Sequence, residues 1–285
     1  TTRPPIVAIM GHIDHGKSTL LDYIRKTAIV AGEAGGITQH LSAYEISIPY
    51  QGVEREITFL DTPGHAAFTG MRERGAVIAD IGILVVSAED GVKEQTIEAL
   101  NTIRKAKIPF IVAINKIDRP GANIDRTKLS LAEQEVLVEG FGGDVPYVAI
   151  SALQGTGVTD LLETILLVAD VENLLSDTNK IAEGLVIESH LDQKRGIAAT
   201  IIIKDGTLKK GQFIVAGTAL ATTRIMENFL GKSVALVSPS MPVQLVGFDE
   251  LPEVGSEIKV FDKKRDAEDY VCQFKIDCAT TKKNV

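Results

Sequence analysis

The segment Gly11-His12-Ile13-Asp14-His15-Gly16-Lys17-Ser18 constrains this chain more than any other. It follows the apolar run Ile6-Val7-Ala8-Ile9-Met10 and opens a helix-compatible stretch from Lys17 to Lys26, so it reads as strand, glycine-bounded loop and helix. Gly11 and Gly16 supply backbone conformations that let N–H groups wrap an oxyanion, and the helix start adds its positive dipole end. Lys17 suits the β/γ oxygens of a nucleotide and the Ser18 hydroxyl suits Mg²⁺. The candidate phosphate contacts are therefore His12, Ile13, Asp14, His15, Gly16, Lys17, Ser18 and Thr19, with Ser18 also a metal ligand.

Around this loop the pattern is that of a doubly wound α/β fold with a mostly parallel sheet. Residues 57–60, 81–86, 110–114 and 145–150 are short apolar runs expected to be strands buried on both faces. They alternate with helix-type stretches at 94–107, 126–139 and from 158 to about 175. Residues 42–60 lack a helix between two β-type runs and read as an antiparallel hairpin turning at 49–53. The polar run Ser176-Asp177-Thr178-Asn179-Lys180 marks a domain boundary. Beyond it, β-type runs at 184–191, 197–204, 212–217, 223–227, 233–237 and 243–246 predict a small all-β barrel. Residues 263–274 look helical and the polar end from Thr280 looks frayed. The expected division is 1–178, 179–262 and 263–285.

Two further loops say which nucleotide is bound. Asp61-Thr62-Pro63-Gly64-His65 follows the next parallel strand, where the Asp61 carboxylate can hold a Mg²⁺-bound water and the Gly64 N–H can meet the γ-phosphate. Asn115-Lys116-Ile117-Asp118 ends another buried strand, and a carboxylate at Asp118 can accept both N–H bonds of a guanine edge. Adenine offers no such donor pair. Ser151, Ala152 and Leu153, after the last strand, can present a backbone N–H to the guanine O6. GTP and GDP, with Mg²⁺, are the expected ligands, and ATP should be excluded.

Composition removes several other classes. A formal net charge of −8 and a pI near 5.3 argue against bulk electrostatic adhesion to nucleic acid. No uninterrupted apolar run reaches membrane-spanning length, and no signal-peptide layout precedes the first strand, so a cytoplasmic protein with no membrane partner is expected. Cys272 and Cys278 lack metal-type spacing and read as unpaired thiols. His12 and His15 in a tight glycine loop make a poor transition-metal site. A start at Thr1 rather than Met suggests a piece of something longer.

The order of these motifs resembles the translational GTPases, and within them the bacterial-type translation initiation factor two family. The specific features are Gly32-Glu33-Ala34-Gly35-Gly36-Ile37-Thr38-Gln39-His40, Leu21-Asp22-Tyr23-Ile24-Arg25, Pro63-Gly64-His65-Ala66-Ala67-Phe68-Thr69 and Arg72-Glu73-Arg74-Gly75-Ala76. Residues 186–189 and 206–211 are similar to the family's second, β-barrel domain, and those after 262 to the start of a linker helix. The resemblance implies that Thr38 ligates Mg²⁺ and touches the γ-phosphate in the GTP state. It makes His65 the catalytic residue that orients the attacking water, with Ile13 and Ile37 screening it. Asp14 becomes a candidate for holding a monovalent cation, K⁺ or Na⁺.

The same resemblance implies a GTP hydrolase, slow alone and stimulated by the ribosome, acting during initiator-tRNA placement and subunit joining. Its partners would be the 30S and 50S subunits and their ribosomal RNA. Initiator tRNA would be bound only through C-terminal domains with no counterpart in this chain, which is expected to be a monomer. Ser18, Leu153 and the pair Lys93-Glu94 depart from the usual pattern. Two alternatives stay open: another translational or ribosome-associated GTPase, such as the selenocysteine-specific elongation factor or a sulfate-activation GTPase, and a GTP-binding module without hydrolysis.

Overall fold

β1 (Ile6–Gly11) is buried along its whole length, as an unbroken apolar run requires. Successive side chains of a strand point to opposite faces, so β1 serves two cores at once. Val7 and Ile9 lie with Leu20, Leu21 and Ile24 of α1 (Lys17–Val30) and Leu161 and Ile165 of α4 (Val158–Glu172). Ile6, Ala8 and Met10 lie with Ala99, Leu100 and Ile103 of α2 (Glu94–Ala106). The structure is a computed structural model and describes residues 1–30, 43–60 and 78–283.

The remaining strands of this sheet are β2 (Ala43–Tyr50), β3 (Val53–Leu60), β4 (Ile81–Ser87), β5 (Phe110–Asn115) and β6 (Tyr147–Ala149). They assemble in the order β2-β3-β1-β4-β5-β6, with every pair parallel except β2 against β3. This is the expected doubly wound sheet. The chain leaves β1 towards β3 on one side and returns to β4 on the other, so the crevice at the carboxyl end of β1 is the ligand position such sheets share.

Three local expectations change. The hairpin turn tightens to Gln51-Gly52, both with positive φ (50° and 82°), and Tyr50 pairs with Val53. That is the two-residue geometry that matches strand twist. The helix expected at 126–139 is α3 (Ile124–Ala132), begun by the Asn123 side chain accepting from Arg126 N at 2.9 Å. It stops because Glu135 is left-handed (φ 59°) and Val136 and Val138 bury separately against the sheet. The strand expected at 145–150 shortens to β6.

The second unit is a closed barrel with strand order β10-β11-β13-β8-β7-β14. These are β7 (Glu183–Asp192), β8 (Gly196–Asp205), β10 (Phe213–Ala216), β11 (Ala219–Glu227), β13 (Pro242–Phe248) and β14 (Glu257–Phe261). β14 was not anticipated, and it closes the barrel by pairing with both β10 and β7. The run expected at 233–237 reduces to β12 (Leu236–Val237), which pairs outside the barrel with β9 (Leu208–Lys209). α5 (Lys264–Lys283) passes through the end expected to fray at Thr280.

Buried polar contacts join the two units. Arg3 donates two hydrogen bonds to the Asp80 carboxylate, at 2.6 and 2.7 Å, and one to Ser240 Oγ at 3.1 Å. From β8, Lys204 Nζ donates to Asp80 at 3.0 Å and to the Ile78 carbonyl at 2.7 Å. Thr58 Oγ1 donates to the Ser240 carbonyl at 2.7 Å. Among the described residues, Cys272 is an exposed free thiol and no helix is long and apolar enough to cross a membrane.

Candidate nucleotide-binding site

Three loops meet at the carboxyl ends of β1, β5 and β6. The first leaves β1 through Gly11, whose φ of 140° brings its backbone so near β4 that a Cβ would lie 2.3 Å from the Val85 carbonyl oxygen. Residues Ile13–His15 then form a single 3-10 turn, with His15 N donating to the His12 carbonyl at 3.2 Å and Asp14 N to His12 Nδ1 at 3.1 Å. Ile13 N donates to Oε1 of Gln95 on α2 at 3.0 Å. Gly16 (φ 88°) turns the chain into α1, where a Cβ would meet Asn115 Nδ2 at 2.4 Å. No L side chain fits either glycine position without moving its neighbour.

At the start of α1, Lys17, Ser18 and Thr19 belong to the turn whose N–H groups have no intrahelical acceptor. Lys17 Nζ folds back to donate to the Gly11 carbonyl at 2.6 Å. Burial holds the Lys17 ammonium below the usual lysine range, so a partly buried cation lies beside the N–H groups of the helix start. An oxyanion satisfies both, and the residues present therefore fit a nucleotide phosphate.

His15 is fully buried beneath this loop, with Nδ1 3.4 Å from the Val85 carbonyl oxygen. Burial pushes its pKa down to about 4, so it is neutral near pH 7. Its ring stands 4.9 Å from that of His12, whose Nδ1 accepts from Asp14 N. Both imidazoles serve loop structure, and among the described residues no cluster of ligands suits a transition metal.

The other two loops are tied to the first by Asn115. Its Nδ2 donates to the His15 carbonyl at 2.8 Å, and its Oδ1 accepts from Ala152 N at 2.9 Å. Lys116 is left-handed (φ 65°), and Ile117 N donates to the Ile150 carbonyl at 3.3 Å, which turns the segment from 115 to 118 along the end of β6. Ser151 is buried and its Oγ accepts from Gln154 N at 3.2 Å. Leu153 is 71% exposed and Asp118 is half-buried, so both stand at the open side of the crevice.

The structure thus brings together His12 to Thr19, Asn115, Lys116, Asp118 and Ser151 to Leu153. Thr38, Asp61, Gly64 and His65, with Ile37, lie outside the described residues. Sequence reasoning missed Gln95. Its contact with Ile13 spans 82 positions of chain, and no local pattern signals it.

A glycine-bounded loop at the switch point of a doubly wound sheet, tied through Asn115 to the loop after β6, is the arrangement of a nucleotide-binding protein. Comparison with known proteins agrees: residues 2–170 match the elongation factor Tu GTP-binding domain and residues 181–261 match elongation factor G domain 2. The chain belongs to the family of GTP-binding proteins built on the elongation factor Tu GTP-binding domain.

Over 269 residues it is 49% identical to translation initiation factor IF-2 of Synechococcus sp. (strain RCC307), covering 94% of this chain and 24% of that protein. Chloroplastic translation initiation factor IF-2 of Rhodomonas salina is also 49% identical, over 265 residues, with 93% and 35% covered. The chain therefore spans 24% to 35% of the length of these relatives. A crystal structure of GDP-bound aIF5B from Aeropyrum pernix has the same fold at a TM-score of 0.77 and 28% identity, covering 96% of this chain and 57% of that one.

Proposed function

We propose that this chain binds GTP with Mg²⁺ and hydrolyses it as the switch core of a translation initiation factor working on the ribosome. The observation that supports the reading is the double hydrogen bond of Asn115, which ties the phosphate loop at His15 to the loop at Ala152 at the carboxyl end of the sheet. The names of the relatives supply the initiation context. On this reading residues 1–178 are the nucleotide domain and 179–262 the barrel, with α5 leading away.

The Lys17 ammonium and the N–H groups of Gly16, Lys17, Ser18 and Thr19 hold the phosphates, while His12 to His15 form the crest of the loop around them. Asp118 accepts from the guanine edge, while the backbone of Ser151, Ala152 and Leu153 faces its O6 and Lys116 lies along the base. Ser18, Thr38 and, through water, Asp61 would hold Mg²⁺, which would supply positive charge against the charge developing on the phosphate oxygens. Asp14 would help hold a K⁺ or Na⁺ ion beside the phosphates. His65 orients a water for in-line attack on the γ-phosphorus, and the bond to the β–γ bridging oxygen breaks. Thr38 and Gly64 then lose their γ-phosphate partner.

Unassisted GTPases of this general kind turn over at about 10⁻⁴ to 10⁻² per second, so a timed cycle needs an outside activator. The ribosome is that activator here. The test is binding of the chain to 30S, 50S and 70S particles with GTP, GDP or a non-hydrolysable analogue, together with ribosome-dependent hydrolysis by His65→Ala. Nucleotide-dependent binding, with stimulated hydrolysis lost in the variant, is expected. Binding indifferent to the nucleotide, or a variant as fast as the parent, overturns the assignment.

A further inference from the structure

We infer that Gln95 is a positioning residue of the phosphate loop, holding the Ile13 N–H and so the crest of the loop; this rests on the GTP-binding reading above. The crest, Ile13–His15, is otherwise closed on itself, because Asp14 N and His15 N both bond back to His12. The limbs are held from below: Lys17 Nζ takes the Gly11 carbonyl, and Asn115 takes the His15 carbonyl. Among the described residues, Gln95 is the only side chain from outside the loop that bonds to residues 12–14.

The anchor is rigid enough to position something. α2 starts after Lys93, whose N–H is accepted by Thr96 Oγ1 at 3.2 Å. The helix is then fixed to the sheet through Ala99, Leu100 and Ile103, in the same core as Ile6, Ala8 and Met10 of β1. Loop and anchor thus hang from one strand and its covering helix, and Gln95 closes the circuit between them at 3.0 Å.

Two consequences follow from chemistry. A loop whose crest is free spends part of its time in conformations that cannot wrap a phosphate, and the apparent affinity falls by the fraction lost. The Ile13 side chain is 71% exposed, so nothing in its own burial fixes its direction; the pinned N–H does. The side chain at 95 must accept a hydrogen bond without bringing negative charge near the phosphates. Glutamine meets both conditions. Leucine keeps the size and loses the acceptor, while glutamate keeps the acceptor and adds charge.

The experiment compares the parent chain with Gln95→Leu and Gln95→Glu. It measures release of a fluorescent GDP and GTP, and hydrogen exchange at the Ile13 amide with and without nucleotide. Gln95→Leu is expected to release nucleotide about threefold to tenfold faster, the worth of one exposed hydrogen bond, and to lose protection at Ile13. Gln95→Glu should restore that protection while still binding more weakly, by a margin that shrinks as salt is raised. Parent-like release and Ile13 protection in Gln95→Leu would overturn the inference. If the parent binds no GTP the wider reading fails, and exchange at Ile13 still decides whether Gln95 holds the loop. Should Gln95→Leu not fold, an unprotected Ile13 amide in Gln95→Glu overturns the inference and a protected one supports it.

Discussion

Asn115 donates to a carbonyl 100 positions earlier in the chain and accepts from an N–H 37 positions later, all of it buried. Removing the amide in Asn115→Ala strands two polar groups, each costing about 1–3 kcal/mol when left unpaired. The variant should unfold at lower urea concentration and bind GTP more weakly. Gly16→Ala attacks the same junction from the other side, because its Cβ would sit 2.4 Å from Asn115 Nδ2 at a φ of 88°. It should abolish measurable GTP binding, and binding within a factor of two of the parent would show that the Asn115 contact is not required. Asp118→Asn exchanges a double acceptor for an amide that matches a base carbonyl. Nucleotide competition should therefore show preference moving from guanine towards xanthine nucleotides, and unchanged selectivity would remove Asp118 from the base.

Among the elements, β2 carries a carboxyl that works against the pH profile of the loop. Glu45 lies diagonal to Glu56 across the hairpin, on the strand face where Thr58 reaches the barrel. Burial, reinforced by Glu56, pushes its pKa up from 4.5 to about 8. The folded state thus keeps a proton that the unfolded chain releases above pH 4.5, so this contribution to stability is full below 4.5 and lost as pH rises to about 8. His15 runs the other way: with its pKa pushed down from 6.5 to about 4, its contribution is full above 6.5 and lost as pH falls towards 4. Glu45→Gln should raise the melting temperature over the parent at pH 8 and leave it nearly unchanged at pH 4.5. An equal gain at both values would mean that Glu45 is ionised in the fold.

At this scale it is also plain why some elements were legible in the sequence and others were not. β1, β4 and β5 are buried on both faces, and an unbroken apolar run has few other readings. The helix expected at 126–139 overruns α3 because that stretch holds no glycine or proline to mark an end, and the left-handed Glu135 leaves no compositional trace. β14 alternates for only five residues, and its partner β7 lies some seventy positions back, so its strand character depends on a pairing the local sequence does not contain. The site divides the same way. The residues proposed to meet the nucleotide sit in contiguous motifs, whereas the bonds from Gln95 and Asn115 that hold these loops are made across the fold.

For the molecule as a whole, the decisive contact is the cluster at Asp80. Burial alone pushes this carboxyl up, yet the hydrogen bonds from Arg3 and the charges of Lys204 and Arg3 outweigh it and hold the pKa below the ordinary range. Its contribution is therefore present above pH 3.8 and lost as pH falls through the depressed value. Lys204 is pushed down by its own burial despite the Asp80 carboxylate at 3.0 Å. Asp80→Asn breaks a buried ion pair from one side, a change that costs about 3–5 kcal/mol because it leaves cations uncompensated. Asp80 and Arg3 belong to the first unit and Lys204 and Ser240 to the barrel, so the loss should also uncouple the two. In the parent, amides of β4 and β8 should exchange through one global opening with the same free energy and the same urea dependence. In Asp80→Asn the two strands should separate into distinct openings. If they still exchange together at a uniformly lower stability, the cluster contributes free energy without coupling the units, and the barrel is joined to the nucleotide domain by other contacts.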